Sequence, residues 1–115
     1  MDYRKLQVWT DARQLALDIY TVTARFPDEE RFGLTSQMRR ASVSVISNIA
    51  EGCGRTSEKD LARFLGMARG SAFELESQLD LAVQLGFCKG SHPSIDRCNK
   101  LKRSLSKLID RVRAG

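Results

Sequence analysis

The hydrophobic positions along the chain repeat at steps of three and four residues in four separate segments. Such spacing places the side chains on one face of an α-helix. The four apolar faces are Val8, Ala12, Leu15, Ile19, Val22 and Phe26; Leu34, Met38, Ala41, Val45 and Ile49; Leu61, Leu65, Ala68, Ala72, Leu75, Leu79, Ala82 and Leu85; and Leu101, Leu105, Leu108 and Val112. Because each face alone would be left in water, the four helices are expected to pack on one another.

Short segments separate the four helices and supply their end signals. In the second connection, Gly52 and Gly54 suit a left-handed helix end, and Ser57 is placed to cap the third helix. The fourth helix is expected to be capped by Ser91 or Ser94. Connections this short make consecutive helices antiparallel neighbours. The predicted fold class is therefore all-α, an antiparallel up-down-up-down four-helix bundle.

The length of the chain fits one such bundle. With 115 residues, of which 42% are hydrophobic, it can build one core, and a single domain over residues 1–115 is expected. No apolar stretch reaches the roughly 18 residues that a membrane crossing needs. The N-terminal residues lack the apolar segment of a secretory signal. We therefore expect a soluble, cytoplasmic protein with no membrane partner.

The second helix has an unusual composition. Its serines and β-branched residues are poor helix formers in isolation, but the three-four spacing continues on both sides of them. Besides its main apolar face it carries a second one, made of Val43, Ile46 and Ala50. Every helix of a four-helix bundle has an outer side, so we expect this second face to contact another copy of the chain. The alternative is a central helix that is fully buried within a monomer.

Positive charge is concentrated on the predicted fourth helix. This helix contains seven basic and two acidic residues, so it accounts for the entire net charge of +5. Lys100, Arg103, Lys107 and Arg111 share one helix face, and Arg97 precedes them. Such a row can follow the phosphate backbone of RNA or DNA; the alternative is the solvated outer face of an ordinary bundle helix. No aromatic residue lies among these cations, so binding is expected to depend on backbone and shape rather than base sequence.

Arg39 and Arg40 form a second cationic feature, on the predicted second helix. An antiparallel third helix brings them level with the segment from Arg69 to Glu74. Ion pairs with Glu74 or Glu76 are one expectation for these two arginines. The other is a second basic patch of Arg39, Arg40 and Arg69, which would add to the candidate nucleic-acid surface.

The segment "NIAEGCGRTSEKD", from Asn48 to Asp60, looks at first like a phosphate-binding loop. A P-loop needs the pattern GxxxxGK[ST] after a strand, whereas this segment follows a helix and lacks that lysine spacing. We therefore interpret it as the turn between two helices, with Arg55 tying the junction together. The alternative is an anion site at the free amides of the third helix, beside Arg55 and Lys59.

Few residues support catalysis or metal binding. Cys53, Cys88 and Cys98 are odd in number and widely spaced, which is typical of free thiols rather than of disulfides or a zinc site. His92 is the only histidine and lies in a turn beside Pro93, where capping or solvent exposure accounts for it. We expect no enzyme activity, no metal and no cofactor.

Three long blocks of the sequence resemble one known family. They are "LQVWTDARQLALDIYTVTARFPDEERFGLTSQ" (6–37), "QMRRASVSVISNIAEGCGR" (37–55) and "FLGMARGSAFELESQLDLAVQLGF" (64–87). In these blocks the chain resembles the four-helix-bundle family of 23S rRNA intervening-sequence proteins. The predicted fourth helix matches the family only in being basic and leucine-striped.

The resemblance implies an assembly and a set of structural positions but no catalytic residues. Family members are encoded within inserts of ribosomal RNA genes or elsewhere in bacterial genomes, and many have no established function. Relatives include the accessory protein of diversity-generating retroelements, a basic pentameric barrel that associates with nucleic acid and a reverse transcriptase. The recurring positions, which we interpret as structural together with Gly54, are Asn48, Glu51, Gly52, Arg55, Gly70, Ser71 and Glu74. Gly70 and Ser71 would let helices approach closely, and Asn48, Glu51 and Arg55 would form a polar junction.

The charge pattern and the resemblance together lead to one main hypothesis. The chain is expected to form a homo-oligomer, a pentamer by resemblance, which binds RNA or DNA as an adaptor without reading base sequence. A second hypothesis is a protein-interaction scaffold whose basic face docks an acidic partner or a reverse transcriptase. A third is an enzyme, which would require a pair of exposed carboxylates in a concave pocket.

Overall fold

The computed structural model describes residues 1–115 and contains four long α-helices. They are α1 (Gln7–Thr23), α2 (Leu34–Cys53), α3 (Glu58–Gln84) and α4 (Pro93–Arg113). Short 3₁₀ turns at Tyr3–Lys5 and Asp28–Glu30 precede α1 and connect α1 to α2. The molecule measures 45 × 23 × 19 Å. Its long dimension follows from α3, whose 27 residues span about 40 Å at about 1.5 Å per residue.

The four helices surround one core, because each packs against the next along the chain and α1 also packs against α4. Helices α2 and α3 run in opposite directions. Gly52 near the end of α2 lies against Phe64, whereas the Ser44 hydroxyl, earlier in α2, lies 2.9 Å from that of Ser71. The side chain of Arg97, at the start of α4, reaches Asp18 near the end of α1. The predicted all-α four-helix bundle is confirmed, and these neighbours are antiparallel.

The predicted apolar faces form most of the core. The faces of the first and second helices are entirely buried, as is that of the third helix except for Leu85 at its end. In α4 the buried side includes Ile109, whereas the predicted Leu108 and Val112 are only half-buried. In the last turns of α4, Ile109 therefore faces the core in place of the predicted Leu108. None of the helices combines the length and the apolarity that a membrane crossing requires.

Side-chain caps begin two of the helices. The Ser57 hydroxyl accepts a backbone N–H of the first turn of α3 at 3.1 Å, as predicted. The prediction of Ser91 or Ser94 as the cap of α4 is wrong. His92 caps this helix instead, because its Nδ1 accepts the backbone N–H of Ser94 at 3.2 Å and Pro93 follows as the first helical residue.

The predicted left-handed end of α2 is also wrong. Neither Gly52 nor Gly54 has a positive φ, and the backbone of Gly54 is right-handed at φ −84°. The left-handed glycines are Gly86, which follows α3, and Gly115, which follows α4, both at φ 80°. At the end of α3 this conformation forms part of the cap. There the N–H of Phe87 donates to the carbonyl of Ala82 at 2.9 Å, which satisfies an otherwise free carbonyl of the last turn.

Candidate nucleic-acid interface

Helix α4 presents one side to the core and the opposite side to solvent. Cys98, Leu101, Leu105 and Ile109 are buried at successive steps of three and four. Residues on the other side of the helix must therefore face outward. The outward cations, termed the α4 row below, are Lys100, Arg103, Lys107 and Arg111, and all four are exposed.

The α4 row is mostly free of acidic partners. Lys100 pairs with Asp96 at 3.0 Å, but both side chains are about two-thirds exposed, so the pair is weak. Arg103, Lys107 and Arg111 have no carboxylate within 4.0 Å. The row is therefore a continuous, positively charged ridge along the outside of the bundle.

Two other cations of α4 are used within the bundle. Arg97, predicted as part of the nucleic-acid surface, forms an ion pair with Asp18 on α1, whose side chain is only 17% exposed. Lys102 pairs with Glu76 on α3 at 2.5 Å, and its ammonium lies 4.4 Å from the centre of the Phe73 ring. These interactions link α4 to both α1 and α3. The prediction did not include the partner that Arg97 has within the bundle.

The predicted ion pairs of Arg39 and Arg40 are wrong. No carboxylate lies within 4.0 Å of either arginine, and Glu76 is paired with α4 instead. Arg39 turns toward α1, where its Nε donates to the Thr23 hydroxyl at 2.9 Å. Arg40 is exposed.

The alternative patch of Arg39, Arg40 and Arg69 is not formed either. Arg69 donates to the Ser106 hydroxyl on α4 at 3.2 Å, whereas Arg39 lies between α1 and α2. The two side chains therefore occupy different seams of the bundle. Arg40 lines one groove with Arg39 and a second one with Glu74, although no ion pair with Glu74 is formed.

Arg39 and Arg40 line an open groove of about 620 Å³ where the end of α1 meets the start of α2. The residues that define this aromatic–arginine groove are Tyr20, Arg31, Phe32, Arg39, Arg40 and Val43, and no carboxylate lines it. The ring of Phe32 is 86% exposed. Sequence reasoning missed the groove because its residues come from three separate segments. The available signal was Phe32 itself, an apolar residue that belongs to none of the helical faces.

The predicted oligomer face lies open on the outside of α2. Val43 is 42% exposed, Ala50 is half-buried, and Ile46 is half-buried where it packs against the core. A central α2 that is buried on all sides is excluded, because Arg40 and Glu51 on the same helix are exposed. Further large apolar side chains lie exposed on α1 and α3 and just beyond α3: Leu17, Met67, Phe73, Leu81 and Leu85.

The segment after α2 is a packing junction. A side chain at Gly52 would place its Cβ 2.9 Å from the Cβ of Phe64 and 3.2 Å from a methyl group of Leu61, so only glycine fits without a shift. Arg55 pairs with Glu51 at 3.9 Å, and its guanidinium carbon lies 4.5 Å from the centre of the Phe64 ring. Arg55 therefore contacts one residue of α2 and one residue of α3, and it links the two helices across the turn.

The remaining predicted structural positions have separate surroundings. Asn48 donates to the Ser44 carbonyl at 2.9 Å within α2, one turn away from the junction that it was expected to join. Ser71 meets Ser44 across the α2–α3 seam. Gly70 is exposed and a Cβ there would meet no atom within 4 Å, so it does not serve close packing within the chain. Glu74 accepts a hydrogen bond from the glutamine one turn later at 3.1 Å.

The three cysteines are poorly placed for nucleophilic chemistry. Cys98 is buried and donates to the Ala72 carbonyl at 3.2 Å. Burial, with a smaller effect of the Glu76 carboxylate, raises the pKa of the Cys98 thiol to about 12. Burial also raises the pKa values of Cys53 and Cys88. At neutral pH all three are therefore thiols rather than reactive thiolates.

The largest groove, of about 810 Å³, lies between the start of α3 and the end of α4. It contains two carboxylates, Glu58 and Asp60, and Asp60 pairs with Arg63 at 3.6 Å. Neither histidine nor cysteine lines it. No group of three or more His, Cys, Asp or Glu residues could hold a metal ion. The groove therefore brings together two carboxylates, as the enzyme hypothesis requires, but one of them is paired with an arginine and no histidine or cysteine lies beside them.

Comparisons with known proteins agree with the all-helical fold. Residues 4–110 match the family described as 23S rRNA-intervening sequence protein. The chain is also similar to a crystal structure of a protein of unknown function from the S23 ribosomal protein family of Bacteroides thetaiotaomicron VPI-5482. The two are 20% identical, with 89% of this chain and 97% of that chain covered and a TM-score of 0.79, which supports the fold alone. No curated protein matches. Because the family match covers nearly all of its length, the chain belongs to the 23S rRNA-intervening sequence protein family.

Proposed function

We propose that the protein is a non-enzymatic adaptor that binds RNA or DNA through the α4 row without reading base sequence. The observation that carries the proposal is the line of Arg103, Lys107 and Arg111, which are exposed and without carboxylate partners. The net charge of α4 equals the +5 of the whole chain, so the attraction for polyanions is concentrated there. Each phosphate that these cations neutralise releases a counterion and so contributes affinity.

The dimensions of the α4 row suit a nucleic-acid backbone. From Lys100 to Arg111 the helix rises about 17 Å. One strand of B-form DNA carries a phosphate about every 3.4 Å along its axis, so the row spans about five phosphates. Side chains of this kind fix the position of a strand and carry no base-specific information.

The proposal includes self-association, with the pentamer that the family resemblance implies. It is supported by the exposed apolar side chains, above all Val43 on the outer side of α2. A ring of subunits would repeat the α4 row around one assembly, and the repeated field would strengthen binding to a long polyanion.

The direct test is to neutralise the row and measure binding to a labelled duplex over a range of salt concentrations. In the triple variant R103Q/K107Q/R111Q, we expect weaker binding and a shallower dependence on salt, by about 0.9 in log–log slope for each phosphate that is no longer neutralised. The matched control is K5Q/R25Q/K89Q, which removes the same charge from exposed positions outside α4 and should bind more tightly than the triple variant. Absence of binding by the folded wild-type protein at low salt would refute the proposal.

The α4 row also supports the second candidate, a scaffold that docks an acidic protein or a reverse transcriptase. The two candidates respond differently to charge reversal at Lys100, Arg103 and Lys107. A scaffold loses its protein partner while its nucleic-acid binding is unchanged, whereas the adaptor loses nucleic acid first.

A further inference from the structure

The aromatic–arginine groove has features that the α4 row does not explain. Phe32 is 86% exposed, and Tyr20 beside it is 45% exposed. Fully burying a phenylalanine side chain contributes about 1.5–3 kcal/mol, and the single chain gains almost none of this from Phe32. Two exposed aromatic rings in one groove are typical of a binding surface.

All formal charge that lines the groove is positive. Arg31, Arg39 and Arg40 contribute it, and no carboxylate lines the groove. The only acidic partner of these arginines is Asp28, which approaches Arg31 to 4.0 Å with both side chains exposed and so neutralises it weakly. Because this positive charge is almost unneutralised, the groove favours an anionic occupant.

Two of the three arginines lie over the aromatic rings of the groove. The guanidinium carbon of Arg39 lies 4.6 Å from the centre of the Tyr20 ring, and that of Arg31 lies 4.9 Å from the centre of the Phe32 ring. Arg39 is also held by hydrogen bonds to the Thr23 hydroxyl and to the Tyr20 carbonyl. Aromatic rings and guanidinium groups are therefore in contact at two points of the groove before any ligand is bound.

We propose that the aromatic–arginine groove binds unpaired nucleotides, with a base stacked on Phe32 and the adjoining phosphates bound by Arg31 and Arg40. A nucleotide strand supplies planar rings and regularly spaced negative charge together. In a duplex the bases are stacked on each other and are closed to the groove. The inference rests on the proposed function and adds a ligand class to it: the α4 row binds any backbone, and the groove confers a preference for single strands.

The test compares three labelled ligands of equal length: a single strand, a strand of abasic residues with the same phosphates, and a duplex. In the variant F32A we expect binding of the single strand to weaken about 5- to 150-fold, the effect of losing one stacked base, with the other two ligands unaffected. F32W retains a ring and should preserve single-strand binding. F73A is the matched control, because Phe73 is also an exposed ring beneath a cation but lies on α3, and it should bind all three ligands as wild type does.

Three results would overturn the inference. In the first, F32A weakens binding of the abasic strand and the duplex as much as that of the single strand. In the second, F32A binds the single strand with wild-type affinity. In the third, the same substitution changes the native mass, which would assign the groove to a second copy of the chain.

A separate measurement tests the proposed function. That proposal is refuted if R103Q/K107Q/R111Q binds the duplex as tightly as its charge-matched control does. A loss confined to the single strand in F32A would then still support the groove as a site for unpaired nucleotides.

Discussion

The absence of a side chain at Gly52 lets α2 and α3 approach each other at their junction. In G52A the new Cβ would lie 2.9 Å from the Cβ of Phe64, which is close to the backbone and cannot swing away. We expect the helices to be pushed apart, with a loss of about 1–3 kcal/mol in the free energy of unfolding. Urea unfolding followed by circular dichroism measures this as a lower midpoint.

The neighbouring glycine provides the control for that prediction. At Gly54 an added Cβ would meet only the carbonyl oxygen of Glu51 at 3.5 Å, an ordinary van der Waals distance, and φ is −84°. G54A is therefore expected to change stability by less than about 0.5 kcal/mol. A loss in G52A no larger than that in G54A would contradict the approach of Phe64 as the reason for the glycine at position 52.

The buried thiol of Cys98 makes stability depend on pH in the alkaline range. The unfolded chain loses this proton near the ordinary pKa of 9.0, whereas the folded chain keeps it until about pH 12. Between these values the unfolded state binds fewer protons, so the free energy of unfolding falls as pH rises above 9 and is unaffected below it. The slope from this group approaches about 1.4 kcal/mol per pH unit.

Urea midpoints measured at a series of pH values on both sides of the ordinary thiol pKa test this dependence. C98A is the comparison, because it differs from the wild type only in lacking this thiol. The stability of the wild type should decline more steeply with pH than that of C98A. Parallel declines would mean that the thiol ionises within the folded bundle.

At the scale of the helices, periodicity was sufficient to predict the architecture. Helix α2 shows this most clearly, because its serines and β-branched residues disfavour an isolated helix, yet Met38, Val45 and Ile49 are fully buried as their spacing requires. The ends of the helices were less predictable. A serine is a commoner cap than histidine, so the two serines were predicted to cap α4. Capping was one of two roles expected for His92, and the orientation of its ring shows that its Nδ1 meets the first turn of α4.

The candidate sites depend on which helices become neighbours, and this limits what the sequence reveals about them. The α4 row follows from one helix and its period, so it could be predicted. The partner of Arg39 could not, because two acidic residues on α3 were nearer in the expected register than the hydroxyl of Thr23 on α1. The grouping of Tyr20, Phe32 and Arg39 likewise arises only once α1, its connection and α2 are brought together.

At the scale of the whole molecule, the apolar surface left on one chain predicts assembly. Val43 is the most informative position, because it is 42% exposed within the predicted face, whereas Ile46 packs against the core and an arginine there would also disturb folding. In V43R a charge must be buried if two copies meet at this face. We expect the native mass to fall toward the 12.9 kDa of one chain while the helical circular dichroism signal is retained.

The matched control for V43R is L17R, which places the same charge at an exposed leucine on α1, outside the predicted face. Both variants add one positive charge, so a general electrostatic effect on assembly should be equal in the two. Loss of assembly in V43R alone, measured by sedimentation, supports an interface on the outer side of α2. If V43R sediments as the wild-type assembly does, Val43, Ile46 and Ala50 do not form the interface, and the exposed apolar residues of α1 and α3 become the surfaces to test.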